Sequence, residues 1–540
     1  MAPGQDPWLV LGKTLAVFAA KTSPVPGLLP TAEALADLLT SCESTNANRH
    51  STSRVCLECY NLLLAVWKDE VKPPTTQQQA FDDVKETIQD VKNQAATWTQ
   101  LSWGRAFVRQ KHIQEGIEQC KVKISECSMR LQLASDAETS QWQAELSAGA
   151  RVDREELVAF MCETKNGRVI ADEVTKEFGE NSIQEVKEIM RMMQQYLAEL
   201  RKGSSGNEEQ AIGLSRNLYE LQSRTKIPLP DANLVSGEIT GMDTFAVAGT
   251  ATVDVYRGRY LQQETVAIKV IRVYDGDEDT MRRFLREVRI WEKVWSIDKG
   301  RYILPFYGFS WQVGQGRPYM VSPWQENGSA LAYVKRHDAN LDYRRLIRDI
   351  AHGIHVLHCL TDPPVIHGNI QAANILIDAE GNPLLADFGL SKMIEDMTGV
   401  PFTQSQGLAN LYRWFAPEVI GYGTISLASD VYSFAMTILE LLTHTWPYAE
   451  YRHTVEIVIR ASNGHKPRRP TDERVVERGL DDQLWQLMAE CWTCLFSERP
   501  GIEKVLEVLT ARADDSALVD PHGNAASACT REVPIIPGEE

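Results

Sequence analysis

The sequence predicts a multidomain chain whose N-terminal half is an all-α helical bundle and whose C-terminal half follows a different plan. Three observations lead there. The chain has 540 residues, more than one hydrophobic core organises, so two or three domains are expected. Before residue 200, apolar residues recur at alternating spacings of three and four over long stretches, as on the buried face of an amphipathic helix. From about residue 235 to 512 the chain instead carries an ordered series of short motifs of fixed residue type.

The helices follow in order. Leu28, Ala32, Leu35 and Leu39 repeat at 4-3-4, and Cys56, Cys59, Leu63 and Val66 at 3-4-3. Phe81, Val84, Ile88, Val91, Ala95 and Trp98 run 3-4-3-4-3, and Ile113, Ile117, Cys120, Ile124, Cys127 and Leu131 run 4-3-4-3-4. Breaks fall at Pro24-Val25-Pro26-Gly27, at residues 46–51 and at Lys72-Pro73-Pro74. Four stripes that must each be buried predict a four-helix bundle over residues 1–135. Residues 9–20 are apolar on most faces and are expected to pack marginally. A fifth stripe, Ile183, Val186, Met190, Met193, Leu197 and Leu200, ends at the flexible run Lys202-Gly203-Ser204-Ser205-Gly206. Connecting helices and linker are therefore expected over 136–234. Residues 513–540 lack periodicity and are expected to be disordered.

The C-terminal motifs carry the chemistry. Residues 367–374 read His367-Gly368-Asn369-Ile370-Gln371-Ala372-Ala373-Asn374, and Ala386-Asp387-Phe388-Gly389 follows. Upstream stand Val266-Ala267-Ile268-Lys269, Glu287 in Arg283-Phe284-Leu285-Arg286-Glu287-Val288, and Ser322-Pro323-Trp324-Gln325. Downstream come Ala416-Pro417-Glu418, Asp430-Val431-Tyr432-Ser433-Phe434, and Arg499-Pro500 after Cys491-Trp492. In this order they resemble the motifs of protein kinases: the V-A-I-K strand, H-R-D-x-x-x-x-N, D-F-G and A-P-E. The phrases Gln371-Ala372-Ala373-Asn374 and Arg413-Trp414-Phe415-Ala416-Pro417-Glu418 resemble the tyrosine-kinase-like group.

The resemblance implies a bilobal α+β protein-kinase fold over 235–512, taking ATP or ADP with magnesium. Lys269 would hold the α- and β-phosphates and pair with Glu287. Asn374 and Asp387 would be the magnesium ligands. Val255, Ala267, Gln325 and Leu376 would complete the nucleotide site, and Arg499 would pair with Glu418.

Four departures bear on activity and its control. Asn369 stands where the catalytic Asp orients the substrate hydroxyl, and an amide carries neither charge nor basic lone pair at neutral pH. Gln371 stands where serine/threonine kinases carry a Lys that contacts the γ-phosphate. The three glycines of the phosphate loop fall at Ala248, Thr250 and Val253, where a Cβ obstructs close backbone approach. Weak nucleotide binding is expected. Gly368 replaces the Arg that grips a phosphorylated activation segment, so phosphate on Thr398, Thr403 or Ser405 would lack its usual anchor.

Helical bundle, connecting helices and a kinase-like domain without its catalytic Asp resemble the layout of the mixed-lineage kinase domain-like family, executors of necroptosis. The bundle also resembles the helical adaptor domains of fungal signalling proteins. That likeness implies a kinase-like switch that holds the bundle until a signalling partner releases it. The freed bundle would self-associate and act on an anionic membrane, or dock a partner. Basic residues between Arg105 and Arg130 exceed acidic ones by three, a face that suits anionic lipid.

The net charge is −17 and the pI about 5.3, which argues against general nucleic-acid binding. No apolar run reaches a bilayer span, and the start lacks a basic n-region. The ten cysteines are scattered. Cys56/Cys59 and Cys491/Cys494 are expected as buried thiols, not zinc ligands, in a reducing cytoplasm. The expected function is that of a cytoplasmic signalling pseudokinase, recruited to membrane on activation. An active tyrosine-kinase-like serine/threonine kinase and a scaffold without nucleotide are the alternative readings.

Overall fold

The computed structural model describes residues 28–43, 48–68, 74–101, 103–132, 136–163, 167–178, 183–202, 208–234, 237–249, 253–272, 278–311, 317–388 and 411–517. The apolar segment 9–20, the linker residues 203–206, Thr250, Thr398, Thr403, Ser405 and everything beyond 517 lie outside them, as does the side chain of Glu287.

The N-terminal region is helical throughout: α1 (Leu28–Glu43), α2 (Arg49–Lys68), α3 (Pro74–Ala95), α4 (Trp103–Val108), α5 (Gln110–Leu131), α6 (Asp136–Cys162), α7 (Gly167–Phe178), α8 (Ile183–Lys202) and α9 (Glu208–Thr225). The four stripes converge on one core, with Leu35, Cys59, Phe81, Ile88, Val91 and Ile124 each at most 1% exposed. Burying a side chain of that size contributes roughly 1.5–3 kcal/mol. Trp98 is sealed in the same core and its indole N–H donates to Thr52 Oγ1 at 3.0 Å. Gly116 lets α5 reach it, since a Cβ there would stand 2.6 Å from the indole ring.

The core runs past the expected boundary at 135, because Trp142 and Leu146 of α6 belong to it. The buried face of α6 continues through Gly149, Asp153, Leu157 and Met161. Asp153 caps α2 from outside that helix: one carboxylate oxygen accepts the His50 N–H at 2.9 Å, the other the Ser51 N–H at 2.7 Å. The sulfurs of Cys42 and Cys56 meet between α1 and α2, their Cα atoms 7.5 Å apart. That exceeds the roughly 4.4–6.8 Å a disulfide spans, so they are read as two thiols in contact. Cys494, expected to be buried, is exposed, because it lies beyond the end of its helix.

The basic stretch in α4 and α5 is largely neutralised by its neighbours. Arg105 pairs with Glu173 at 3.0 Å, Arg130 with Asp83 at 3.8 Å, and Lys123 with Asp90, while Lys121 pairs with Glu118 of its own helix at 2.8 Å. A charge count along one helix does not see carboxylates that adjacent helices supply.

Contacts divide the chain into two compact units. The first holds residues 1–243 with 257–266 and 307–311. Within it α9 clasps the end of α6. Asn217 Nδ2 donates to the carbonyls of Met161 and Glu163, and a Cβ on Gly213 would stand 1.6 Å from the Cys162 carbonyl oxygen. One turn further along α9, Gln222 Oε1 accepts from the buried Tyr260 hydroxyl at 2.7 Å. Gln194 of α8 bonds both the N–H and the carbonyl of Asp231, each at 3.0 Å. Tyr307 donates to Glu264 at 2.7 Å, and burial raises the Glu264 carboxyl above its ordinary range.

The kinase-like region begins with β1 (Ile239–Thr240), β2 (Ala248–Gly249), β3 (Val253–Tyr260), β4 (Glu264–Ile271), the helix α10 (Glu278–Asp298), β5 (Gly308–Ser310) and β6 (Tyr319–Pro323). The strands form one sheet in the order β1-β3-β4-β6-β5, with β2 also pairing β3. A helical lobe follows: α11 (Ala330–His337), α12 (Tyr343–His355), the hairpin β7 (Ile375–Ile377) and β8 (Pro383–Leu385), then α13 (Pro417–Tyr422), α14 (Leu427–Thr443), α15 (Thr454–Ser462), α16 (Glu473–Glu477), α17 (Asp482–Cys491) and α18 (Ile502–Ala517). α14 is buried from Ser429 to Leu442 and starts at a capping box between Ser426 and Ser429. α18 extends five residues past the expected domain end at 512. Among the described residues no helix is long and apolar enough to cross a membrane.

Candidate functional site

The loop 367–374 is built around a buried carboxylate. Asp430, in the first turn of α14 and 1% exposed, accepts the His367 N–H at 2.7 Å, the Gly368 N–H at 2.8 Å and a contact from His358 Nε2 at 3.0 Å. Gly368 takes φ +75°, a conformation glycine adopts without the steric cost of a Cβ. Burial holds the His367 imidazole below its ordinary pKa, so the ring is neutral. Its Nδ1 accepts the Asn369 N–H at 3.3 Å, and its edge meets the Phe388 ring with centroids 6.5 Å apart.

Asn369 does not face a substrate as a free base would. Its Oδ1 accepts from Gln371 Nε2 at 2.9 Å, and its carbonyl accepts from Asn374 Nδ2 at 2.8 Å. The second bond orients Asn374, leaving its Oδ1 without a partner among the described residues. The β7–β8 hairpin then brings Asn374 opposite Ala386, next to Asp387: Ile375 pairs with Leu385, and the Ala386 N–H donates to the Asn374 carbonyl at 2.8 Å. An amide oxygen and a carboxylate are hard ligands that fit magnesium.

Lys269 on β4 is ion-paired with Asp387. The expected pairing with Glu287 is not among the described contacts, because that side chain is outside them. The pair borders a cavity of about 50 Å³, lined also by Trp291, Phe306, Ser322 and Phe388. Trp291 of α10 fixes its wall, donating its indole N–H to the Phe388 carbonyl at 2.9 Å and stacking at an angle on Phe306, centroids 5.0 Å apart.

The other candidate residues are not among those lining that cavity. Val255 pairs with Ala248 across the β2–β3 ladder. Ala267 is buried on β4, and Gln325 is half-buried where its carbonyl accepts the Gly328 N–H at 3.0 Å. Leu376 packs on the Leu304, Leu384 and Ala386 cluster. Val253, at a phosphate-loop glycine position, is 5% exposed. The residues present fit magnesium and the inner phosphates; the places for a γ-phosphate contact and a catalytic base hold Gln371 and Asn369.

Two buried acids escaped the sequence reading in their roles, Asp430 and Glu440. Glu440 Oε2 accepts the Ala372 N–H and the Trp414 indole N–H, both at 3.0 Å, and burial pushes its carboxyl up to about 7. The signal was available, since a charge in an apolar helix is costly unless paired. Arg499 forks onto Glu418 at 2.5 and 2.8 Å, the pairing expected from the motifs.

A curled sheet lobe, a helical lobe and a cleft holding Lys269, Asn374 and Asp387 define a protein kinase domain. Residues 246–509 match the family model for protein tyrosine and serine/threonine kinases. Over 262 residues the chain is 31% identical to receptor-interacting serine/threonine-protein kinase 4 of Homo sapiens, covering 48% of this chain and 30% of that one. It is 27% identical over 277 residues to serine/threonine-protein kinase STY17 of Arabidopsis thaliana, covering 50% and 45%. It is 30% identical over 204 residues to ephrin type-A receptor 8 of Homo sapiens, covering 37% and 19%. The chain thus spans less than half the length of each of these relatives.

Proposed function

We propose that this chain is a signalling pseudokinase whose nucleotide-binding kinase domain governs the N-terminal helical region. The observation that carries this is the internal closure of the phosphotransfer site. Asn369 replaces a base and spends its side-chain oxygen on Gln371. General-base assistance typically contributes 10²–10⁴-fold to such a step. Lys269 and Asp387 still supply the charges, and Asn374 an amide oxygen, that nucleotide and magnesium need; when bound, the ion would neutralise phosphate charge.

Control over the bundle is supported by a continuous path inside the first unit. α6 runs from Trp142 and Leu146 in the bundle core to Cys162, where Gly213 and Asn217 of α9 grip it. α9 in turn holds Tyr260 on β3. A shift in β3 would therefore reach α6 through the Tyr260–Gln222 hydrogen bond and the α9 clasp. In this reading the bundle acts by self-association or partner docking, with an anionic membrane as a further target. The carboxylates that neutralise Arg105, Lys123 and Arg130 favour the first two.

Full-length protein with radiolabelled ATP, magnesium and generic substrates is expected to give background signal, and Asn369→Asp alone is expected not to raise it. Turnover that Lys269→Ala abolishes would overturn the proposal. Hydrogen exchange should show ATP altering protection in α9 and α6; unchanged protection would leave only a scaffold.

A further inference from the structure

We propose that His355, Cys359 and Glu503 form a zinc site on the helical lobe, apart from the nucleotide cleft. One imidazole nitrogen, the thiol sulfur and one carboxylate oxygen all lie within 4.8 Å of one another.

The backbone explains the convergence. His355 ends α12, and Val356–Leu360 continue it as a single π turn, so residues four apart stay on one side. Glu503 sits in the first turn of α18, which packs on α12. Its neighbours Ile502 and Val505 are 3% and 0% exposed, so the position of that turn is set by the core. Cys359 and Glu503 are exposed and His355 half-exposed, so an ion reaches them without opening the fold. Among the described residues none of the three side chains is committed to another hydrogen bond or ion pair.

Ligand chemistry selects the ion. A sulfur, a nitrogen and one oxygen suit borderline-soft zinc; magnesium and calcium prefer all-oxygen sets. Zinc bonds of ~2.0–2.3 Å would draw these three side chains together around the ion. The thiol proton leaves to solvent as the thiolate binds, and water takes the fourth position. The second close cluster, His50, Asp153 and Glu156, differs in kind. Both Asp153 oxygens are already spent on the His50 and Ser51 N–H groups, and Glu156 contacts His50 at 3.3 Å, so it is a helix cap.

The site borders the catalytic loop's support. His358, next to Cys359, turns inward to Asp430, the carboxylate that holds His367 and Gly368. Zinc would clamp the turn carrying His358 to α18.

Untagged, metal-stripped full-length protein should be titrated with cobalt(II) as an optical probe of zinc sites. One thiolate-to-cobalt charge-transfer band per chain is expected, displaced by zinc. Cys359→Ser should remove it, and His355→Ala or Glu503→Gln should weaken affinity on the order of a hundredfold, at least what loss of an outer-shell partner costs. In the wild type, zinc should slow alkylation of Cys359 and leave Cys494, also exposed, reactive. No band, a band that survives Cys359→Ser, or equal protection of both thiols would overturn the site.

Discussion

The Lys269 ammonium and the Asp387 carboxylate are paired with each other in the cleft. The group suited to a phosphate and the group suited to a metal therefore neutralise one another, and a nucleotide must part them. On the proposed reading, Asp387 would hold magnesium and so be freed from Lys269. Millimolar ATP with magnesium should raise Tm by mass action, by about 2.7 kcal/mol of stability at a hundred times Kd. Lys269→Ala should abolish the shift. Asp387→Asn should give a larger ATP shift than wild type in chelator and a smaller one in magnesium. Differential scanning fluorimetry in the two buffers checks both.

The Arg499–Glu418 fork anchors the segment after the activation loop. Its side chains are 0% and 10% exposed, and Arg499 also donates to the carbonyls of Thr493 and Ala428 at 2.8 and 3.0 Å. Removing one member leaves the other charge buried, at a cost of roughly 3–5 kcal/mol. Arg499→Ala should show that loss in urea unfolding of the full chain. Arg499→Lys should recover only part of it, because an ammonium lacks the planar fork.

Glu440 predicts a pH dependence. Its folded pKa, about 7, lies above the ordinary 4.5. The folded state therefore binds more protons between those values, and the stability this group contributes is full below 4.5 and lost as pH rises towards 7. Glu440→Gln keeps an oxygen for Ala372 and Trp414 without the charge. Its Tm relative to wild type should rise as pH increases from 4.5 to 7 and level off above. A difference independent of pH would show that Glu440 does not titrate there.

Much of this architecture is legible in the residues because its causes are local. The stripes of α1, α2, α3 and α5 are single faces of single helices, and the kinase motifs are residue types that phosphate, metal or a tight turn demands. What was not legible depends on partners far along the chain. Asp430 and Glu440 serve loop residues 63 and 68 positions away. The stripe of α6 is masked because two of its buried members are Gly149 and Asp153, chosen for close approach and capping. The basic excess at Arg105–Arg130 dissolves once Asp83, Asp90 and Glu173 face it.

The α6–α9 clasp gives the sharpest test of how the helical region is joined. Gly213 has no room for a side chain, since its Cβ would lie 1.6 Å from the Cys162 carbonyl oxygen. That neighbour is backbone and cannot rotate away. Gly213→Val must push α9 off the end of α6 and strain the Asn217 bonds to Met161 and Glu163. Overpacking of this kind costs typically 1–3 kcal/mol. The hydroxyl bond from Tyr260 to Gln222 is a milder lesion, about 1 kcal/mol in Tyr260→Phe. Gly213→Val should lower Tm and speed proteolysis between α6 and α9 while leaving the ATP-induced shift in place. If instead the variant loses nucleotide binding but keeps its protease resistance, the clasp does not join these helices as described.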